Sequence, residues 1–216
     1  MKRVLSMALL TAVVVLTGCP QQAPPSRGVY LLMDTSGTYT QELDKAERII
    51  SFILAKLNPG DSFAVGRIDT GSFSEKDILA RATFADRPSV ANQQKRQFRE
   101  EIKDFVADVE SASHTDITGG VLQATEWLDE VDAGQKVVLI FSDLKEDLPE
   151  GYVRDVSLEL ASFDVVALNV TKLRSDIVDP KEYLGRLDAW EERVEDAGGD
   201  WRVINDLDHM KGLFSE

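Results

Sequence analysis

The sequence predicts an α/β protein in three layers, α/β/α, with a mostly parallel central sheet and helices on both of its faces. Three observations predict it. Short apolar runs alternate along the chain with stretches whose apolar residues recur every three or four positions, the pattern of strands interleaved with helices. Two runs, Val29-Tyr30-Leu31-Leu32-Met33 and Val137-Val138-Leu139-Ile140-Phe141, are apolar without a break, as expected of strands covered on both faces. The chain has 216 residues, 43% of them hydrophobic. That suffices for one domain that buries roughly 70% of the surface its unfolded chain would expose.

The first residues read differently from the rest. Lys2 and Arg3 precede an apolar run from Val4 to Leu16, shorter than the roughly 20 residues a spanning helix needs and of the size of a secretory core segment. Leu16-Thr17-Gly18-Cys19 follows, and Cys19 is the sole cysteine. This segment resembles the lipobox of bacterial lipoproteins, in which a diacylglyceryl group is attached to the cysteine and the chain is cleaved just before it. The resemblance implies a signal peptide over 1–18 and a lipidated Cys19 as membrane tether. It places the protein on the bacterial cell envelope, facing outside the cytoplasm, with inner and outer membrane both open. Loss of Lys2 and Arg3 would take the formal charge from −14 to −16. Residues 19–28, with three prolines and two glutamines after Cys19, read as a short extended linker.

From residue 29 to 216 one domain is expected. Val29–Met33 is the first strand. Leu43, Ala46, Ile50, Ile53 and Leu57 form a helical stripe that Asn58-Pro59-Gly60 ends. Ser62–Ile68 and Ile78–Phe84 read as strands, with Asp69-Thr70-Gly71-Ser72 turning between them. A helix with Phe98, Ile102, Phe105 and Val109 on one side follows, then another over Thr118–Val131 with Val121, Leu122, Thr125 and Leu128 in its stripe. After the Val137 strand come a helix over Gly151–Ser162, a strand over Phe163–Val170 and a helix over Pro180–Ala197. Gly198-Gly199 breaks that helix before a strand at Trp201–Ile204 and a short helical tail.

Composition narrows the function classes. With 24 Lys and Arg against 38 Asp and Glu, the pI is about 4.6. Nothing in that balance would neutralise a run of phosphates, which argues against nucleic acid as a partner, and it also argues against electrostatic docking on an anionic bilayer. One cysteine cannot supply a multi-cysteine metal site, and two histidines argue against a histidine-rich one, so a metal here is expected to be a hard cation held by oxygen.

In sheets of this kind ligands bind beyond the carboxyl ends of the strands. After the first strand come Asp34-Thr35-Ser36-Gly37-Thr38, after the Val137 strand Ser142-Asp143, and in a loop opening the Thr118 helix Ser113-His114-Thr115-Asp116. Carboxylates and hydroxyls from three segments suit one divalent ion that keeps some of its water. Read singly, Asp34–Thr38 is also an ordinary strand-to-helix turn with Ser36 or Thr38 as helix cap, and Asp143 an ordinary loop residue.

Together these residues resemble the von Willebrand factor type A domain and its metal-ion-dependent adhesion site, which carries Asp-x-Ser-x-Ser after the first strand, a threonine in a later loop and an aspartate after the fourth strand. Asp34, Ser36 and Thr38 fall on the first motif, Thr115 on the threonine and Asp143 on the aspartate. Thr38 replaces the usual serine and keeps its hydroxyl. Thr118 is the other candidate for the threonine, and Leu144 stands where the family often has glycine. The resemblance implies a Rossmann-like fold, Mg²⁺ or Mn²⁺ (or Ca²⁺) as cofactor, and a partner protein that offers an Asp or Glu to the ion. It implies adhesion rather than turnover.

Two other readings stay open. Asp34-Thr35-Ser36-Gly37-Thr38 also resembles the Asp-x-Asp-Gly-Thr of haloacid dehalogenase-type phosphohydrolases, but Ser36 replaces the acid, and a serine hydroxyl cannot protonate a leaving group near neutral pH. A metal-free scaffold of the same fold is the third. Asp69-Thr70-Gly71-Ser72 imitates the aspartic-protease tetrapeptide but lacks a second such aspartate and reads as a turn. Lys95, Arg96 and Arg99, with Glu100 and Glu101 next to them, read as a solvated, ion-paired helix face.

Overall fold

The computed structural model describes residues 25–37, 42–69, 71–152, 154, 156–206 and 209–214. The signal peptide expected over 1–18, Cys19 and Thr38 lie outside them. The elements are β1 (Arg27–Asp34), α1 (Leu43–Lys56), β2 (Ser62–Ile68), β3 (Ile78–Thr83), α2 (Pro88–Asp108), α3 (Ile117–Glu130), β4 (Gln135–Phe141), β5 (Phe163–Leu168), α4 (Arg174–Val178), α5 (Pro180–Asp196) and β6 (Asp200–Ile204). A 3₁₀ segment, His209–Phe214, follows. The six strands form one sheet in the order β3-β2-β1-β4-β5-β6. All neighbours are parallel except β2 and β3. The expected fold class is the one observed.

The unbroken apolar runs have their reason in two cores. Val29, Leu31 and Met33 of β1, with Val137, Leu139 and Phe141 of β4, point to one face and pack against α1, Phe98 and Ile102 of α2, and Met210. Tyr30 and Leu32, with Val138 and Ile140, point to the other and meet Val121, Ala124 and Leu128 of α3 and Trp190 and Val194 of α5. Side chains alternate across a strand, so a strand sealed on both faces must be apolar at every position. Every buried residue of both cores lies between Val29 and Met210, so a fragment beginning at Pro25 retains them all.

Helix ends follow local chemistry. Asp116 caps α3 by accepting from the Gly119 amide at 2.8 Å, and Asp179 caps α5, whose first residue is Pro180, through Lys181 N at 3.0 Å. Gly198, at φ +84°, closes α5. A Cβ on Gly66 would lie 2.5 Å from the Tyr30 hydroxyl, so a side chain there would displace Tyr30, which reaches across to Gln123 at 3.0 Å. Trp127 and Trp190 are buried and Trp201 is half-buried.

Two expectations need correction. The described residues of Gly151–Ser162 form no helix. Leu158 and Leu160 are buried while Ser157 and Glu159 are exposed, a two-residue alternation that belongs to extended chain. The Leu160 amide donates to Ala197 O at 2.9 Å, a partner outside any helix the segment could make. In α3 the fully buried stripe runs through Ile117, Gly120, Val121, Ala124 and Leu128, and Leu122 and Thr125 are only half-buried. Of the turn expected over Asp69–Ser72, Gly71 lies in a turn, and the Ser72 hydroxyl accepts from Asp69 N at 3.0 Å and donates to Asp69 O at 3.2 Å.

Leu31 has no exposed surface and sits mid-strand between β2 and β4. Leu31→Ala should lower unfolding free energy by about 3 kcal/mol through lost transfer energy and the cavity left behind, read from the shift of the urea midpoint at unchanged slope.

Candidate functional site

β1 has β2 on one side and β4 on the other, so the chain changes direction across the sheet between β1 and β4. A crevice at the carboxyl ends of such a strand pair is where open α/β sheets bind ligands. Asp34 is the last residue of β1 and is 1% exposed. Its Oδ1 accepts from the Ser36 amide at 2.8 Å and its Oδ2 from the Ser142 hydroxyl at 2.7 Å. Asp143, one residue further along the β4 exit, is 5% exposed, and its Oδ1 accepts from Lys145 N at 2.8 Å. Burial pushes the Asp143 carboxyl above the ordinary range, and the neighbouring Asp34 charge pushes it the same way. The structure thus brings Asp34 and Asp143 together.

Three loops are laced around this pair. Ser36 is half-buried and bridges to Ala112, whose amide donates to Thr35 O at 2.9 Å. Thr115 is buried and exchanges backbone hydrogen bonds with Asp147, at 2.7 and 3.0 Å. Thr118 is engaged elsewhere: its amide and hydroxyl both donate to Glu146 Oε1, at 2.6 and 2.5 Å. Glu146 Oε2 meets Arg193 of α5 at 3.2 Å. His114 Nδ1 lies 3.6 Å from Asp147 Oδ2 and has no hydrogen-bond partner among the described residues.

Several residues that shape the site carry no local sequence signal, because their partners lie 28 to 108 positions away. Ser142 is one. Arg186 is another: its Nε donates to Asp143 O at 3.1 Å while its other two nitrogens grip the buried Asp176 at 2.9 and 2.8 Å. Arg154 pairs with the fully buried Asp116 at 2.6 Å and pins the irregular segment after β4 to the α3 cap. Leu144 adopts φ +64°, the left-handed region that favours glycine. It is held there by burial and by Trp190 Nε1, which donates to its carbonyl at 3.1 Å.

The donor set is one of oxygens. Among the described residues no group of three or more His, Cys, Asp or Glu is placed to hold a metal. The two buried carboxylates, with the Ser142 hydroxyl on Asp34, are hard oxygen donors, chemistry that suits a hard ion rather than a softer one.

The Arg186 fork pushes the Asp176 carboxyl down to about 2. A carboxyl depressed on folding contributes stability above its unfolded value and loses it as pH falls toward the folded one. Arg186→Met should therefore destabilise the protein at neutral pH and flatten the fall in stability between about pH 4 and pH 2, measured by urea titrations across that range.

No family model and no curated protein matches the chain. Solved structures do. A von Willebrand factor type A protein from Catenulispora acidiphila aligns with a TM-score of 0.51 at 17% identity, over 88% of this chain and 41% of its own. The pilus adhesin SpaC from Lactobacillus rhamnosus GG, in its open conformation, aligns with a TM-score of 0.56 at 10% identity, over 90% of this chain and 30% of its own. The chain spans less than half the length of either. Its layers, its sheet and these alignments give it the three-layer α/β/α, Rossmann-like fold of the von Willebrand factor type A domain.

Proposed function

We propose that the protein is a lipid-anchored binding module outside the cytoplasm, which engages a carboxylate of a partner protein through a divalent cation. Asp34, Ser36, Thr38, Thr115 and Asp143 would hold Mg²⁺ or Mn²⁺, with Ca²⁺ also accommodated, and the ion would supply an open position for the partner's Asp or Glu. The observation that carries this reading is the burial of Asp34 and Asp143 side by side at the switch point. Two carboxylates out of water raise each other's energy unless a cation or protons compensate them. Thr115 is taken as the threonine ligand on the strength of the motif; Thr118 donates its hydroxyl hydrogen to Glu146, which leaves its oxygen lone pairs unused.

The fold likeness to a pilus adhesin supports binding over turnover. Asp34 also lacks the neighbouring acid that a phosphohydrolase would need, since Ser36 stands there. Anchoring rests on the Leu16-Thr17-Gly18-Cys19 motif. Among the described residues no helix is long and apolar enough to cross a membrane, and two or three acyl chains on Cys19 would provide a stable hold without one.

The test is calorimetric titration of Mg²⁺ and Mn²⁺ into the fragment Pro25–Glu216 and into its Asp34→Ala and Asp143→Ala variants. One-site binding lost in both variants, with circular dichroism unchanged, is the expected result. A folded parent that binds neither ion overturns the metal mechanism and favours the metal-free scaffold. Hydrolysis of a generic phosphate ester, lost with Asp34→Ala, would favour the phosphohydrolase.

A further inference from the structure

The cations Lys95, Arg96 and Arg99 do not form the evenly solvated face their sequence suggests. They line one groove of about 300 Å³ between α1 and α2, together with Asn92 and with Ser51, Leu54 and Ala55 of α1. Arg96 has no ion-pair partner among the described residues. Arg99 meets Glu100 only at 3.8 Å, and Glu100 also faces Lys103 at 3.5 Å. Lys95 is half-buried, donates to Leu57 O at 2.5 Å and lies over the Phe84 ring. In a chain of net charge −14, this is a local concentration of positive charge.

Its position bears on what fills it. A short path of contacts links the groove to the place where the chain enters the sheet. Lys95 binds Leu57 O, and the adjacent Asn58 amide donates to Asp61 Oδ2 at 2.6 Å, while Asp61 Oδ1 accepts from Arg27 N, the first residue of β1, at 2.8 Å. These contacts place the Lys95 end of the groove near the amino ends of the strands, the pole opposite Asp34 and Asp143. Seven residues separate Cys19 from Ser26 inclusive of the latter, and they reach at most about 25 Å.

From this geometry we propose that the Lys95–Arg96–Arg99 groove binds the phosphate headgroups of anionic phospholipids. Doing so orients the domain on the membrane that carries it, with the Asp34–Asp143 pole turned away. Phosphate oxygens are the matching ligands for a guanidinium pair and an ammonium, and Asn92 and Ser51 offer further hydrogen bonds. The acidic net charge opposes approach of the whole surface to a bilayer, but at physiological salt the charges beyond about 8 Å are largely screened. At the interface the groove's three cations act together with the acids nearest them, Asp61 by Lys95 and Glu100 by Arg99. The orienting role rests on the lipid-anchor reading, whereas headgroup binding by the groove does not.

The experiment uses the unlipidated fragment Pro25–Glu216 with EDTA present, so that neither an acyl chain nor a bridging metal contributes. Sedimentation with phosphatidylcholine vesicles is compared with sedimentation with mixed phosphatidylcholine and phosphatidylglycerol vesicles. Each cation near an anionic surface gives roughly a fivefold gain in partitioning. At least a tenfold preference for the mixed vesicles is expected, falling as salt is raised. Lys95→Gln/Arg96→Gln/Arg99→Gln should remove the preference with the melting temperature kept. Lys136→Gln/Arg202→Gln, at cations already paired with Asp129 and Asp164, should retain it.

Equal binding to both vesicles, or a preference that survives the triple substitution, overturns the proposal. Calorimetric binding of inorganic phosphate without binding of either vesicle would reassign the groove to a soluble phosphoanion. Binding of polyglutamate without binding of vesicles would reassign it to an acidic protein segment. Mass spectrometry of the membrane-extracted full chain reports separately on lipid at Cys19, so failure of the anchor and failure of the groove are distinguishable.

Discussion

The strands β1 and β4 lie side by side at the centre of the sheet and are sealed from water on both faces, and much else in the molecule answers to that condition. Their backbone groups are paired with each other and with β2 and β5, and their apolar side chains feed two separate cores. Polar chemistry is consequently pushed to the strand ends, where the backbone leaves the ladder. Asp34 and Asp143 stand at the first such positions on adjacent strands. Burying them carries a desolvation cost that an amide or hydroxyl on each side offsets in part. Burial raises the Asp143 carboxyl above its ordinary range, and the neighbouring Asp34 charge adds to the rise.

The loops that carry these residues are held by long-range side-chain contacts rather than by regular structure. Arg186 ties the Asp143 carbonyl to Asp176 at the α4–α5 corner, Glu146 joins the start of α3 to α5, and Arg154 stitches an irregular crossover to the α3 cap. Parallel strands need a long connection to return to the same end of the sheet. Between β4 and β5 an extended, anchored segment does what a helix commonly does. Leu144 shows the same economy: neighbours that bury it and bind its carbonyl hold a non-glycine residue in a conformation it would otherwise avoid.

Two local concentrations of charge stand out in the molecule. Buried carboxylates mark the carboxyl end of the sheet, while the three cations between α1 and α2 gather near the amino end. Net charge describes the solubility and long-range field of such a chain. It is a poor guide to a groove whose dimensions are comparable with the screening length.

The sequence by itself determined the order of the six strands and of the helices α1, α2, α3 and α5, the two-faced burial of the central strands and the position of Asp34, Ser36, Thr115 and Asp143 at element ends. These rest on local periodicity and on which residues interrupt it, both of which are written in neighbouring positions. The failure at Gly151–Ser162 has the same origin. Val156, Leu158 and Leu160 fit helix and extended chain comparably well over so short a run, and the decision fell to Ala197 and Asp116, distant in sequence. Tertiary structure alone decided that Thr118 serves Glu146, that Ser142 reaches Asp34, that Arg186 braces the Asp143 loop and that three helix cations share one groove with α1. Each of these depends on the packing of elements far apart in the chain, and a pattern of spacings does not encode a distance between them.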